Sequence, residues 1–193
     1  MDELHRKKIK HFNVEGHAHL LTFSCFGRQA LLDDDMRRRQ LSFFIDRAML
    51  RHQCKLIAFV YMPEHLHLLV FPSNDIESVL YAIKKPFSDR VKRLMTRFND
   101  PLLKKLTIQE RPGKQVFRFW QEGPGHDRNL LTTEKCVAAA EYIHNNPVRR
   151  DCAGRQMNGD GQAGASTIGQ TIGITPSRKC TGLWGSPSPK VLW

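Results

Sequence analysis

Apolar positions along the chain alternate between a period of two and a period near three and a half, and the switches mark its elements. His19 to Phe26, His-Leu-Leu-Thr-Phe-Ser-Cys-Phe ended by Gly27, predicts a first strand. Asp33, Asp34 and Asp35 suit the positive end of a helix dipole, and Leu41, Ile45 and Met49, joined by Phe44 and Ala48, form a helical stripe up to about His52. Lys55 to Met62 is strand-like, Pro63-Glu64 interrupts it, and His65 to Phe71 resumes at once, so the two read as a tight hairpin whose second strand is central. From Asp75 to about Phe98, the recurrence of Ile76, Leu80, Ile83, Phe87, Val91 and Leu94 predicts a second amphipathic helix, kinked at Pro86.

Asn99 to Gln115, with Pro101, Pro112 and Gly113, reads as a loop. Val116 to Gln121 reads as a short strand with Phe117 and Phe119 on one face and Arg118 and Trp120 on the other. Thr133, followed by Glu134, caps a third helix expected to end before Pro147, with Cys136, Ala140 and Ile143 as its buried stripe. Strand, helix, strand, strand, helix, strand and a last helix make an α+β chain. It is a ferredoxin-like (RRM-like) split βαβ sandwich, an antiparallel sheet with helices on one face plus a C-terminal helix. Beyond Arg150 the pattern stops: eight of the 13 glycines fall in residues 154–185. Residues 1–150 are therefore read as the domain and 151–193 as a disordered or aberrant Gly/Ser-rich tail.

Charge sharpens the picture. Of the net +11, the tail accounts for +2, leaving +9 on residues 1–150, which favours a polyanionic partner. The polar face of the second helix holds Lys84, Lys85, Arg90, Lys92, Arg93 and Arg97, balanced between a solvated face and phosphate contacts. Arg118 and Trp120 join them as candidate nucleic-acid contacts, Trp120 by stacking on an unpaired base, although core packing is the commoner fate of one aromatic. No 18-residue apolar run and no signal-peptide core is present, so a soluble cytoplasmic protein without a membrane partner is expected. The five cysteines are widely spaced, with no Cys-x-x-Cys pair, and read as reduced, mostly buried thiols.

Candidate chemistry centres on His65 and His67. Two apart on a strand, they project from one face, where imidazoles can share a metal ion; both can equally be hydrogen-bonded in a half-buried strand. A similar pair, His17 and His19, lies at the mouth of the first strand and reads as surface or satisfied. The chain has three tyrosines. Tyr61 lies in the strand before the hairpin, Tyr81 among core positions of the second helix, and Tyr142 at the edge of the last helix's apolar stripe, with Asn146 one turn further on. A phenol, with a reference pKa near 10, needs an adjacent cation to attack a phosphodiester at neutral pH. Packing at a helix edge is the plainer role for Tyr142.

Three motifs occur in order: Tyr61-Met62-Pro63-Glu64-His65-Leu66-His67-Leu68-Leu69, Arg118-Phe119-Trp120-Gln121, and Glu141-Tyr142-Ile143-His144-Asn145-Asn146-Pro147-Val148. Together, over about residues 10–150, they resemble the HUH-type single-tyrosine transposases, in particular the REP-associated tyrosine transposases. The resemblance implies a ferredoxin-like fold, hairpin-forming single-stranded DNA as substrate, and Mg²⁺ or Mn²⁺ held by His65 and His67. It also implies Tyr142 as the nucleophile that forms a 5′-phosphotyrosine and frees a 3′-hydroxyl, and Asn146 as a further metal ligand. The active unit is left open between a monomer and a homodimer. Relatives continue past Asn-Pro-Val with an apolar, Trp-containing segment, from which Asp151 onward departs. Two other classes fit the residues alone: a non-catalytic, RRM-like single-stranded nucleic-acid-binding domain, and a metal-dependent phosphodiesterase that uses water.

Overall fold

A computed structural model describes residue 14 and residues 16–72, 75–123 and 125–149. The tail assigned to residues 151–193 lies outside the described residues. The element order is β1 (Ala18–Ser24), α1 (Asp35–Arg51), β2 (Lys55–Tyr61), β3 (His65–Phe71), α2 (Ile76–Arg97), α3 (Leu102–Leu106), β4 (Thr107–Arg111), β5 (Lys114–Phe117), β6 (His126–Leu130) and α4 (Thr133–Arg149).

Four strands pair antiparallel in the order β2-β3-β1-β6, the ferredoxin-like arrangement, with β4 and β5 as a separate hairpin set into the last crossover. The central position of β3 explains its sequence. A strand covered on both faces reads as a continuous apolar run, and His65 to Val70 are all buried. Leu66, Leu68 and Val70 meet Leu41, Ile45, Ile83 and Phe87 of α1 and α2 on one face. On the other, Leu69 joins Ala58, Val60 and Met62 beneath Ala139 and Ile143 of α4. Among the described residues the sheet therefore has α1 and α2 on one side and α4 alone on the other.

Asp34 and Asp75 cap α1 and α2, their carboxylates accepting from the N–H groups of Arg37 and Ser78. For α4 the capping hydroxyl belongs to Thr132, one residue before the expected Thr133, and it accepts from the Lys135 N–H at 3.4 Å. Both interior prolines are absorbed. α2 continues through Pro86, and α4 continues through Pro147 to Arg149 rather than stopping short of it, because the missing N–H removes one rung close to the helix end.

The segment between α2 and β6 corrects the sequence reading most. Asn99 to Gln115 is not a loop: Leu102, Leu103 and Leu106 of α3 pack on the core, and β4 pairs with β5 across Pro112-Gly113, where Gly113 adopts a φ of 77°. The strand expected at Val116–Gln121 ends at Phe117, after which Phe119 and Trp120 turn into the core. The fourth strand of the sheet is instead His126–Leu130. Four polar residues in five hide it from an apolar pattern, as suits an edge strand with one ladder partner.

Candidate active site

The β2–β3 turn sets the site. The Met62 N–H bonds the His65 carbonyl at 2.9 Å, while the Glu64 carbonyl accepts from the Cys25 N–H and the Pro63 carbonyl from the Leu32 N–H, each at 2.8 Å. This fixed turn delivers His65 and then His67 to the α4 face of the sheet. Their rings stand perpendicular with centroids 4.7 Å apart, and their Nε2 atoms converge to 3.0 Å. Both side chains are buried, 4% and 6% exposed, so solvent does not set their orientation.

Their outer nitrogens do. His65 Nδ1 lies 3.0 Å from Glu64 Oε1, and His67 Nδ1 lies 2.7 Å from Thr22 Oγ1, the residue directly opposite it on β1. A carboxylate only accepts, so His65 carries its hydrogen on Nδ1 and offers a lone pair at Nε2. The hydrogen between the two Nε2 atoms then belongs to His67, whose Nδ1 accepts from the Thr22 hydroxyl. Because a hydroxyl can reverse its role, His67 can shift that hydrogen to Nδ1 and present a second inward lone pair.

Tyr142 arrives from α4. Ile143, fully buried, and Ala139 seat the helix on β2 and β3, which leaves the tyrosine at the seam with its side chain 40% exposed. Its ring centroid is 5.5 Å from that of His67, the planes inclined at 77°. Asn146, one turn later, is 4% exposed. The other tyrosines stand elsewhere. Tyr61 is buried, its hydroxyl 2.7 Å from Ser42 Oγ and its ionisation pushed up by burial, and Tyr81 projects from α2 on the opposite side of the sheet. His19 is buried as well, with Nδ1 2.8 Å from Asp127 Oδ1, on the face away from His67. Among the described residues no three His, Cys, Asp or Glu side chains group as a metal site, so the imidazole pair is the nitrogen donor set on offer.

The expected nucleic-acid contacts are not brought to the pair. α2 packs on the other face of the sheet. Lys84 gives Nζ to the Gly123 carbonyl at 3.0 Å and lies over the Phe23 ring, with burial lowering its pKa to about 8. Lys85 pairs with Asp89, and Arg97 lies over Phe98, while Arg90, Lys92 and Arg93 are exposed. Arg118 is held between Glu110 and Glu122 at 2.8 and 2.9 Å. Trp120, 7% exposed, packs on Phe23, Phe87 and Phe119 and donates Nε1–H to the Lys84 carbonyl. Its ring is spent in the core, which corrects the expectation of base stacking. Two residues missed in the sequence, Thr22 and Glu64, orient the histidines; Glu64 adjoins His65 in the chain, but Thr22 is found only through strand register.

Comparison with known proteins bears on the family and the fold. A family model described as "Transposase IS200 like" matches residues 13–110. The solved structure of a REP-associated tyrosine transposase bound to a REP hairpin is similar in fold, with a TM-score of 0.56, 17% identity, and coverage of 82% of this chain and 95% of that one. A crystal structure from Deinococcus radiodurans R1, described as a candidate transposase, gives a TM-score of 0.43 at 18% identity over 72% of this chain and 96% of that one. No curated protein matches the sequence. Among the described residues no helix is long and apolar enough to cross a membrane.

Proposed function

The chain belongs to the IS200-like transposase family, and from that footing we propose that it cuts and rejoins single-stranded, hairpin-forming DNA through a covalent bond to Tyr142. The observation that supports this is the placement of the Tyr142 ring against His67, whose Nε2 converges with that of His65. In this reading the Tyr142 oxygen attacks a backbone phosphorus as the bond to the 3′-oxygen breaks. The 5′-phosphate stays on the tyrosine, and the leaving 3′-hydroxyl takes up the proton that the phenol gives away. Attack by another 3′-hydroxyl reverses the step, so joining requires no nucleotide cofactor.

The donor set fits a divalent cation. Two buried imidazoles can aim lone pairs at one point, each braced at Nδ1 by an oxygen, and the Asn146 amide is placed on the same helix as the nucleophile. His65, His67 and Asn146 would hold Mg²⁺ or Mn²⁺, which when bound polarises the phosphoryl group and takes up developing charge. Thr22 and Glu64 keep the rings aligned. Since His67 and Tyr142 meet within one chain, a single copy carries the assembled pair. Arg90, Lys92, Arg93 and Arg97 supply a positive field that draws in the polyanion, whereas Lys84, Lys85 and Arg118 are already engaged by protein oxygens.

The test is incubation with a labelled hairpin oligonucleotide carrying a single-stranded flank, with Mn²⁺. A protein-linked DNA species is expected, lost on chelation, in Tyr142→Phe, and in the His65→Ala, His67→Ala double variant. Cleavage without any linked species would show water to be the nucleophile and overturn the proposal.

A further inference from the structure

One quadrant of the site face is left uncovered by α4. The helix rests on β2, on Leu69 of β3 and on the Ala18–Leu130 end of the β1–β6 pair. Among the described residues, the opposite ends of β1 and β6 carry no helix on that face, and Thr22 and Ser24 are half-buried there. Register identifies what lines this opening. The Thr22 hydroxyl bonds His67, so the Thr22 side chain points to the site face, and His126, directly opposite Thr22, points there too. Arg128, two residues on and opposite Leu20, shares that face, and both His126 and Arg128 are exposed. Ser24 opposes His65. Just past it, Arg28 is 66% exposed with Nη2 4.0 Å from the Glu64 carboxylate that braces His65.

We infer that Arg28 and Arg128, with His126 between them, form a phosphate-binding track that lays a DNA strand along β1 beside the Tyr142 phenol; this rests on the nicking reading for its substrate. Leu20 and Ser24, which mark its two ends, are four strand steps apart, about 13 Å. That length accommodates a few backbone phosphates. Among the described residues no carboxylate pairs with Arg128, and Arg28 meets Glu64 only at the limit of ion-pair distance. An arginine left without a partner on an open strand face has its full donor fork available, and a phosphate accepts it two-pronged. The track also gives the edge strand β6 its purpose: its outward row is polar because it faces nucleic acid.

The test measures binding apart from chemistry. Fluorescein-labelled dT20 is titrated in EDTA at several salt concentrations against the full chain and its Arg28→Gln, Arg128→Gln and double variants. Lys55→Gln, which removes one charge from the opposite edge strand β2, serves as the control, and melting curves confirm folding. Each track substitution is expected to weaken binding about fivefold near 0.1 M salt and to lower the log–log salt slope by roughly 0.7, while Lys55→Gln leaves the slope unchanged. Equal affinity and slope in the double variant, or an equal loss in Lys55→Gln, would overturn the track even if wild type forms the covalent adduct. Loss of binding in the track variants from a wild type that forms no adduct would uphold the track and remove the nicking chemistry.

Discussion

The ring of Tyr142 meets the ring of His67 edge-on at 5.5 Å, joining a side chain of the last helix to one from the middle of the sheet. Tyr142→Phe keeps that contact and removes only the hydroxyl. It should abolish the DNA adduct, lowering strand cleavage by more than a thousandfold, while Mn²⁺ binding and melting temperature stay at wild-type values. Gel analysis of the adduct with calorimetric titration of the metal checks both halves.

Thr22 Oγ1 lies 2.7 Å from His67 Nδ1 and should govern metal affinity without touching the metal. Thr22→Val keeps the shape and loses the oxygen. Mn²⁺ affinity should fall about 10- to 100-fold, with Thr22→Ser restoring most of it. Unchanged affinity in Thr22→Val would mean that packing alone orients the imidazole.

Gly125 precedes β6 with a φ of 88°, and a Cβ built there would run into the Thr22 carbonyl oxygen. Gly125→Ala must therefore push apart the strands that carry His126 and Thr22. We expect a loss of at least ~1 kcal/mol in urea unfolding, accompanied by weaker Mn²⁺ binding because Thr22 braces His67.

Trp120 packs among Phe23, Phe87 and Phe119, so Trp120→Ala should cost about 3–5 kcal/mol of stability. The protein that remains folded should bind dT20 as wild type does. A folded Trp120→Ala protein that had lost DNA affinity would restore the ring to the interface.

Burial lowers the Lys84 ammonium from its ordinary 10.5 to about 8. Between those values the unfolded chain holds a proton that the folded protein has released, so this group adds stability as pH rises through that window, and below pH 8 the fold carries the cost of a buried charge. Cys25, raised by burial to about 12, acts oppositely, but only above its ordinary 9.0. Between pH 7 and pH 9, wild type should gain about 1 kcal/mol relative to Lys84→Met in urea unfolding.

The elements that carry His65, His67 and Tyr142 could be read from the sequence, β3 as a largely apolar run and α4 as an amphipathic helix seated by Ile143. Grouping the three side chains came from the resemblance of their motifs and not from any period. The fold class followed from the apolar patterns of the elements. What stayed hidden was set by long-range pairing. β6 is almost wholly polar and becomes a strand only by hydrogen-bonding to β1. Pro112-Gly113 reads as a breaker, yet it makes the tight turn between β4 and β5. Arg118 and Trp120 resembled surface recognition residues, but Arg118 is held by the nearby Glu110 and Glu122, and Trp120 is drawn inward by Phe23 and Phe87 from distant segments that no spacing rule connects. Thr22 is an ordinary strand residue until register puts it against His67.

Because α4 closes the described part of the chain, a ribosome delivers the two imidazoles and every sheet strand before it delivers the phenol. On the proposed reading, a nascent or prematurely terminated product ending near residue 132 would display the sheet and its track of Arg28 and Arg128 but lack the Tyr142 phenol that bonds to phosphorus. In that reading strand scission waits on the docking of one seventeen-residue helix, after the four-stranded sheet has been delivered.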